Sequence, residues 1–233
     1  MKSNQTQLMQ RGLLDQDIVT NYMNLSKDEL VLKLNDSAQY RSAAIHVLTL
    51  KYYLDDDYTS ILLNQLLKEK ALYTKIEIQN SLSKHGDIKQ VCQYLGCIGH
   101  NQYKDIPEKS SLKKSYPLAR DIIARSLSYI DINKFDIFFD TLTSLPYKQF
   151  LEGVDALGFL CFYNPSIIND QIFTFIKECI IKYQNDNLMT FKLITCLSAF
   201  PQSYTFLNDL KTKIHNPILI NEINRSMHIL KTR

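Results

Sequence analysis

An all-α fold is predicted by three observations. The chain of 233 residues holds only six Gly and six Pro, too few turn residues for a sandwich or barrel, which needs a turn every ten residues or so. Its apolar residues recur at helical spacing almost throughout, as in Ile45, Leu48 and Tyr52 or Val154, Leu157 and Cys161, and strand alternation is hard to find. Six helical stretches also align on a shared leucine, at Leu48, Leu82, Leu127, Leu157, Leu197 and Leu230. Their spacings of 34, 45, 30, 40 and 33 residues define a unit of roughly 35, enough for two antiparallel helices and their turns.

Taken in order, the elements form one domain over residues 1–233. Residues 1–25 are a capping segment, of which Met1 to Gly12 is polar and Gln-rich with no apolar h-region. The first pair is SKDELVLKLN followed by RSAAIHVL, and the second, past the acidic run Asp55 to Asp57, is YTSILLNQLLKE with KIEIQNSL. After His85-Gly86-Asp87, IKQVCQYLG pairs with RDIIARSL, and the 45-residue spacing there contains GHNQYKDIPEKSSLKKS. That stretch, residues 99–115, has little apolar content and four lysines, and is expected to be an exposed loop. INKFDIFFDTL with FLEGVDAL, NDQIFTFIKECIIKY with TFKLITCL, and SYTFLNDLKTKI with INRSMHIL complete six helix pairs. Pro146, Pro165, Pro201 and Pro217 each precede an apolar-periodic stretch, where proline suits the first turn of a helix. All eleven Phe lie between Phe135 and Phe206, which predicts a bulkier core in the second half rather than an exposed aromatic patch.

The segment LVLKLNDSAQYRSAAIHVL resembles the first helix, turn and Arg-small-Ala-Ala second helix of HEAT repeats, and ARDIIARSL repeats the pattern weakly. The resemblance runs from about Ser26 to the C-terminus, and only the first unit carries both the turn Asp and the Arg-Ser-Ala-Ala run. It implies a right-handed α-α superhelix, HEAT- or armadillo-like, whose second helices line a concave surface. It supplies no catalytic residues, because such arrays are mostly binding scaffolds.

Charge narrows the partner. The net charge is +3, and the running balance over residues 1–103, 104–125, 126–204 and 205–233 is 0, +3, −3 and +3. An acidic segment between basic ones suits a partner protein of mixed charge better than nucleic acid. No run approaches the ~18 apolar residues of a membrane span. The five Cys, an odd number without a disulfide pattern, are expected to be buried thiols in a reducing, cytoplasmic compartment.

The second helices carry the candidate site. Where they align, one position reads His46, Asn80, Arg125, Asp155, Thr195 and His228, polar in every unit. Three residues earlier, on the same helix face, stand Glu77, Glu152, Lys192 and Arg225, with Ala43 and Ile122 breaking the pattern. Stacking would place these as a polar ladder along one exposed side, beside the aromatics Tyr53, Tyr129 and Phe159. The bland alternative is an ordinary solvated face on which Arg125 and Asp155 pair with each other. Adaptable polar groups next to aromatics are what protein interfaces use.

Catalytic patterns are weaker. Cys92, Cys97 and His100 lack a fourth ligand and the CxxC spacing of a structural zinc site, and no cofactor motif is found. No His precedes a Glu, so the His-Glu pairs that would resemble the di-iron HEAT enzyme deoxyhypusine hydroxylase are missing. Glu152 and Asp155 share a helix face, and a resemblance to HEAT-like alkylpurine DNA glycosylases would make one of them a catalytic acid beside Tyr or Phe, since the chain has no Trp. The acidic 126–204 segment suits DNA phosphates poorly. The expected function is therefore non-catalytic binding of another protein, as an adaptor or as an immunity-type inhibitor of a toxin. The Lys/Asn/Ile-rich, stand-alone chain fits a bacterial binder of the second kind.

Overall fold

The structure is a computed structural model and describes residues 4–233. Its fourteen α-helices are α1 Gln5–Gln10, α2 Gln16–Tyr22, α3 Lys27–Lys33, α4 Ala38–Lys51, α5 Tyr58–Lys68, α6 Leu72–His85 and α7 Ile88–Gln93, then α8 Ile122–Leu127, α9 Phe135–Thr143, α10 Tyr147–Tyr163, α11 Asp170–Lys182, α12 Asn187–Leu197, α13 Tyr204–Lys213 and α14 Pro217–Thr232. There is no strand among the described residues. The N-terminal segment of residues 1–25 therefore holds two helices, its first three residues lying outside the described ones.

Most helices start where a short polar side chain can accept the N–H groups that the first turn leaves free. Ser26 opens α3 with a reciprocal capping box to Glu29, Asn4 does the same for α1 with Gln7, and Asp15, Asp87, Asn169, Asp186 and Asn216 cap α2, α7, α11, α12 and α14. The prolines behave in two ways. Pro146 directly precedes α10 and Pro217 is the first residue of α14, whereas Pro165 and Pro201 open three-residue 3-10 turns ahead of α11 and α13.

The helices pack on their neighbours in a regular order. Contacts join α3 to α4, α5 to α6, α7 to α8, α9 to α10, α11 to α12 and α13 to α14. Each even-numbered helix from α4 onward also touches the next, α4 to α6, α6 to α8, α8 to α10, α10 to α12 and α12 to α14. Helices α1 and α2 cover α4. Of the six aligned leucines, Leu48, Leu82, Leu127, Leu157 and Leu197 are buried in one continuous core, while Leu230 on α14 is half-buried. Seven of the eleven Phe are buried and the other four half-buried, so the aromatic second half is core and not an exposed patch.

One sequence expectation is corrected here. Cys97 is exposed, because it falls in the turn after α7 where its thiol meets only backbone carbonyls, of Gln93 and Leu95. The other four thiols are buried, and burial pushes Cys92 and Cys161 up to about 12. The segment expected as an exposed loop over 99–115 forms no helix or strand and holds no buried residue, and it is held against the helices. Its lysines, Lys104, Lys109, Lys113 and Lys114, are exposed, but Tyr103 and Ile106 lie against the core and Tyr116 is buried. The chain runs as an irregular strap from Gly99 to Asp121 across α14, where the Ser110 hydroxyl donates to the Ile218 carbonyl at 3.3 Å and the Arg225 guanidinium to the Lys113 carbonyl at 3.1 Å.

Both ends of the strap are fixed. Asp121, fully buried, caps α8 through the N–H groups of Ile123 and Ala124, and its second oxygen accepts from the Gln102 amide and the Gly96 N–H. Farther back, the Tyr116 ring lies on α10 over Gly158. A Cβ at that position would stand 1.8 Å from the tyrosine hydroxyl, which is why a glycine is needed inside this helix.

Candidate functional site

The ten ladder residues lie on α4, α6, α8, α10, α12 and α14, and the structure divides them. On α4 and α6 they are open to solvent. His46 Nδ1 lies 2.8 Å from Glu77 Oε1, both side chains partly accessible, and Asn80 one turn along is exposed. The same two helices present Leu50 and Ile76, which are 54% and 40% exposed, and the turn after α4 presents Tyr53, which is 38% exposed. Residues 46 and 50 share one face of α4, and 73, 76, 77 and 80 one face of α6. The Tyr53 ring lies tilted against His85, the last residue of α6, with centroids 4.1 Å apart, and the two faces meet where His46 reaches Glu77. Beneath them the helices are pinned by buried hydroxyl pairs, Ser42 with Thr74 at 2.9 Å and Thr49 with Ser81 at 2.8 Å.

Toward the C-terminus the ladder is not a wet face. Lys192 of α12 donates to Glu152 at 2.8 Å and to Asp155 at 3.0 Å, both on α10, and the lysine side chain is 2% exposed. Arg225 of α14 holds Glu222 through Nε and Nη2 at 2.6 to 3.0 Å, and Thr195 of α12 donates to the same carboxylate at 2.8 Å. The expectation of exposure fails here because adjacent even-numbered helices come close enough for their polar side chains to bond across the gap, and because the strap passes over them. Arg125 does not pair with Asp155. Its Nε and Nη2 donate to the Ala119 carbonyl at 3.1 and 2.9 Å, which ties the end of the strap to α8. His228 is exposed near the end of α14, one turn beyond Arg225.

Charge in the buried cluster is unequal. Glu152, Asp155 and Glu222 outnumber Lys192 and Arg225 by one. Burial pushes the Glu152 carboxyl up against the pull of Lys192. Burial likewise opposes the Lys192 charge, but Asp155 and Glu152 outweigh it and hold the ammonium above its ordinary value. One cation between two acids thus keeps its proton firmly while the more buried acid ionises reluctantly.

Two groups of this site escape the helix-phase reading. Glu222 stands three residues before Arg225, an i,i+3 pair visible in the sequence. Glu69, at the corner between α5 and α6, accepts both Nε and Nη2 of Arg41 at 2.8 and 2.7 Å, and only the chain's return past α4 brings them together. Among the described residues no group of three or more His, Cys, Asp or Glu is placed to hold a metal ion, and no helix is long and apolar enough to cross a membrane. No known family model, curated protein or solved structure matches the chain.

Proposed function

We propose that this chain is a non-catalytic helical-repeat protein that binds a partner protein through its even-numbered helices. The architecture that goes with this reading is a right-handed, HEAT-like α-solenoid of six helix pairs. Its support is the order of packing, in which α3 through α14 contact in consecutive pairs and each even-numbered helix touches the next.

The observation that carries the function is the face of α4 and α6. Leu50 and Ile76 stand exposed beside His46, Glu77 and Asn80 on two helices held together by buried hydroxyl pairs, with Tyr53 exposed in the turn after α4. An apolar and aromatic centre with a polar margin on a fixed support is the anatomy of a protein interface. The strap and the cross-helix ion pairs leave the C-terminal part of the ladder less accessible, so partner contact is assigned to α4 and α6 with Arg125 and His228 outside it. A cytoplasmic adaptor and a cytoplasmic toxin inhibitor both use such a face. The glycosylase alternative fits less well, since Glu152 and Asp155, its candidate acids, are both engaged by Lys192.

The test is a partner captured by the wild-type protein and then titrated against Leu50→Glu, Ile76→Glu and His228→Glu. The first two should each weaken binding by tenfold or more with the fold retained, as both sites are exposed, and the third should leave it unchanged. Equal affinity in all three would exclude this face. Release of alkylated bases from DNA by the purified wild-type protein would establish the glycosylase instead.

A further inference from the structure

Residues 109–120 of the strap hold four cations, Lys109, Lys113, Lys114 and Arg120, and no acid. All four are exposed, and none is in an ion pair among the described residues. Where the strap passes α8 and α10, an open hollow of about 630 Å³ is lined by its Lys113 and Leu118 and by Tyr129, Phe159 and Tyr163, with no Asp or Glu. Tyr129 stands in the turn after α8, and Phe159 and Tyr163 are one turn apart on α10. The Phe159 ring joins the other two, with centroids 5.1 Å from Tyr129 and 4.5 Å from Tyr163. The tyrosines are 59% and 50% exposed, so a row of rings is open to a ligand.

The acids around this row are already engaged. Asp131, two residues past Tyr129, accepts from the Asn133 N–H at 2.9 Å, and Asp155, one turn before Phe159, is held by Lys192 together with buried Glu152. Leu118 also lines a neighbouring cavity that Lys109 and Arg120 reach, so the track continues along the strap. The acids lining that cavity, Asp155 and Glu222, are paired with Lys192 and Arg225, which leaves the charge of the two strap cations free for a ligand. There the Arg120 guanidinium lies 4.3 Å over the Tyr103 ring. Rings open to stacking beside unpaired cations, with no free acid between them, call for a ligand that repeats a flat face and a negative charge. Acidic protein would pair with the lysines but bring no flat surface to the rings, and a nucleic-acid duplex keeps its base faces inside. We infer that the seam between the strap and α8 and α10 binds single-stranded nucleic acid, with bases on Tyr129, Phe159 and Tyr163 and phosphates along Lys113, Lys114, Lys109 and Arg120. This surface is separate from the α4 and α6 face and does not depend on the protein-binding reading.

The experiment is fluorescence anisotropy of the full chain with labelled oligo-rU and oligo-dT of about twelve nucleotides, a duplex of equal length and poly-L-glutamate. A single strand should bind with Kd below about 100 µM at physiological salt, and log K should fall against log salt with a slope of about −2 to −3, for three to four phosphates. Whichever of the two strands binds more tightly names RNA or DNA as the source. The duplex and poly-L-glutamate should each bind about tenfold more weakly or less. Tyr129→Ala and Tyr163→Ala change exposed rings and should each weaken binding about tenfold with Tm kept, while Tyr163→Phe, which keeps the ring, should bind as the wild type does. Lys113→Ala combined with Lys114→Ala should make the salt slope shallower by about one. The proposal is overturned if neither single strand binds at millimolar protein, or if Tyr129→Ala and Tyr163→Ala both bind like wild type. Equal binding of poly-L-glutamate, the outcome for a surface that takes acidic protein, or of the duplex overturns it as well, and these two arms use wild-type protein alone.

Discussion

Lys192 shows how much a single side chain decides in this molecule. With the lysine 2% exposed and its partners Glu152 and Asp155 at 4% and 16%, three charges are taken almost out of water and only their mutual contacts offset the cost. Replacing one acid leaves a balanced pair, whereas removing the cation leaves two carboxylates facing each other in a low dielectric. Lys192→Met should therefore destabilise the protein by about 3–5 kcal/mol in urea denaturation at neutral pH. Adding Glu152→Gln to that variant should recover part of the loss, because one uncompensated carboxylate is gone. A Lys192→Met loss under about 1 kcal/mol would mean that water reaches the cluster freely.

At the level of the elements, the helices were legible because each rule that places them is local. Ser26 and Glu29 announce α3, Asn216 and Pro217 announce α14, and the repeated leucine falls on one face by period alone. The burial of Glu152 and Lys192 was not legible, because it depends on the strap crossing α14 more than a hundred residues from its own place in the chain. Tyr103 and Tyr116, aromatics in a lysine-rich stretch, were the available hint. The same local limit applies to the α5 to α6 corner, where Glu69 is clamped by Arg41 and accepts the N–H groups of Lys70 and Ala71. Burial pushes this carboxyl up, but Arg41, Ala71 and Gln65 outweigh it and hold its pKa below the ordinary value. A lowered carboxyl pKa favours the folded state wherever the group is ionised in both states, so the stabilisation is complete above the unfolded value of about 4.3 and is lost as pH falls through the folded one. Glu69→Gln should cost about 1.5–3 kcal/mol at pH 7, and the gap from wild type should shrink as pH is lowered through the carboxylate range. A gap independent of pH would show that the corner is held by shape and not by charge.

On the scale of the whole molecule, stability in an array of stacked helices is a sum of neighbour contacts, and such chains readily unfold in parts. The strap alters that. It leaves the row after α7, is anchored at Asp121 by four hydrogen bonds, and meets α14 through Ser110 to Ile218 and Lys113 to Arg225, partners separated by 108 and 112 residues. Unfolding α13 and α14 in the intact protein thus breaks strap contacts and opens the charged cluster beneath them, which couples the C-terminal helices to the middle of the chain. A single proteolytic cut after Lys113 or Lys114, both exposed, leaves every helix intact but lets the strap ends move independently. The uncut protein should unfold in one transition by far-UV circular dichroism. The cut protein should show an early transition, and backbone amides of α13 and α14 should exchange with solvent faster than those of α4 and α6, whose protection stays as before. If the cut protein keeps one transition at the original midpoint with α14 amides equally protected, the strap rests on the helices without joining them.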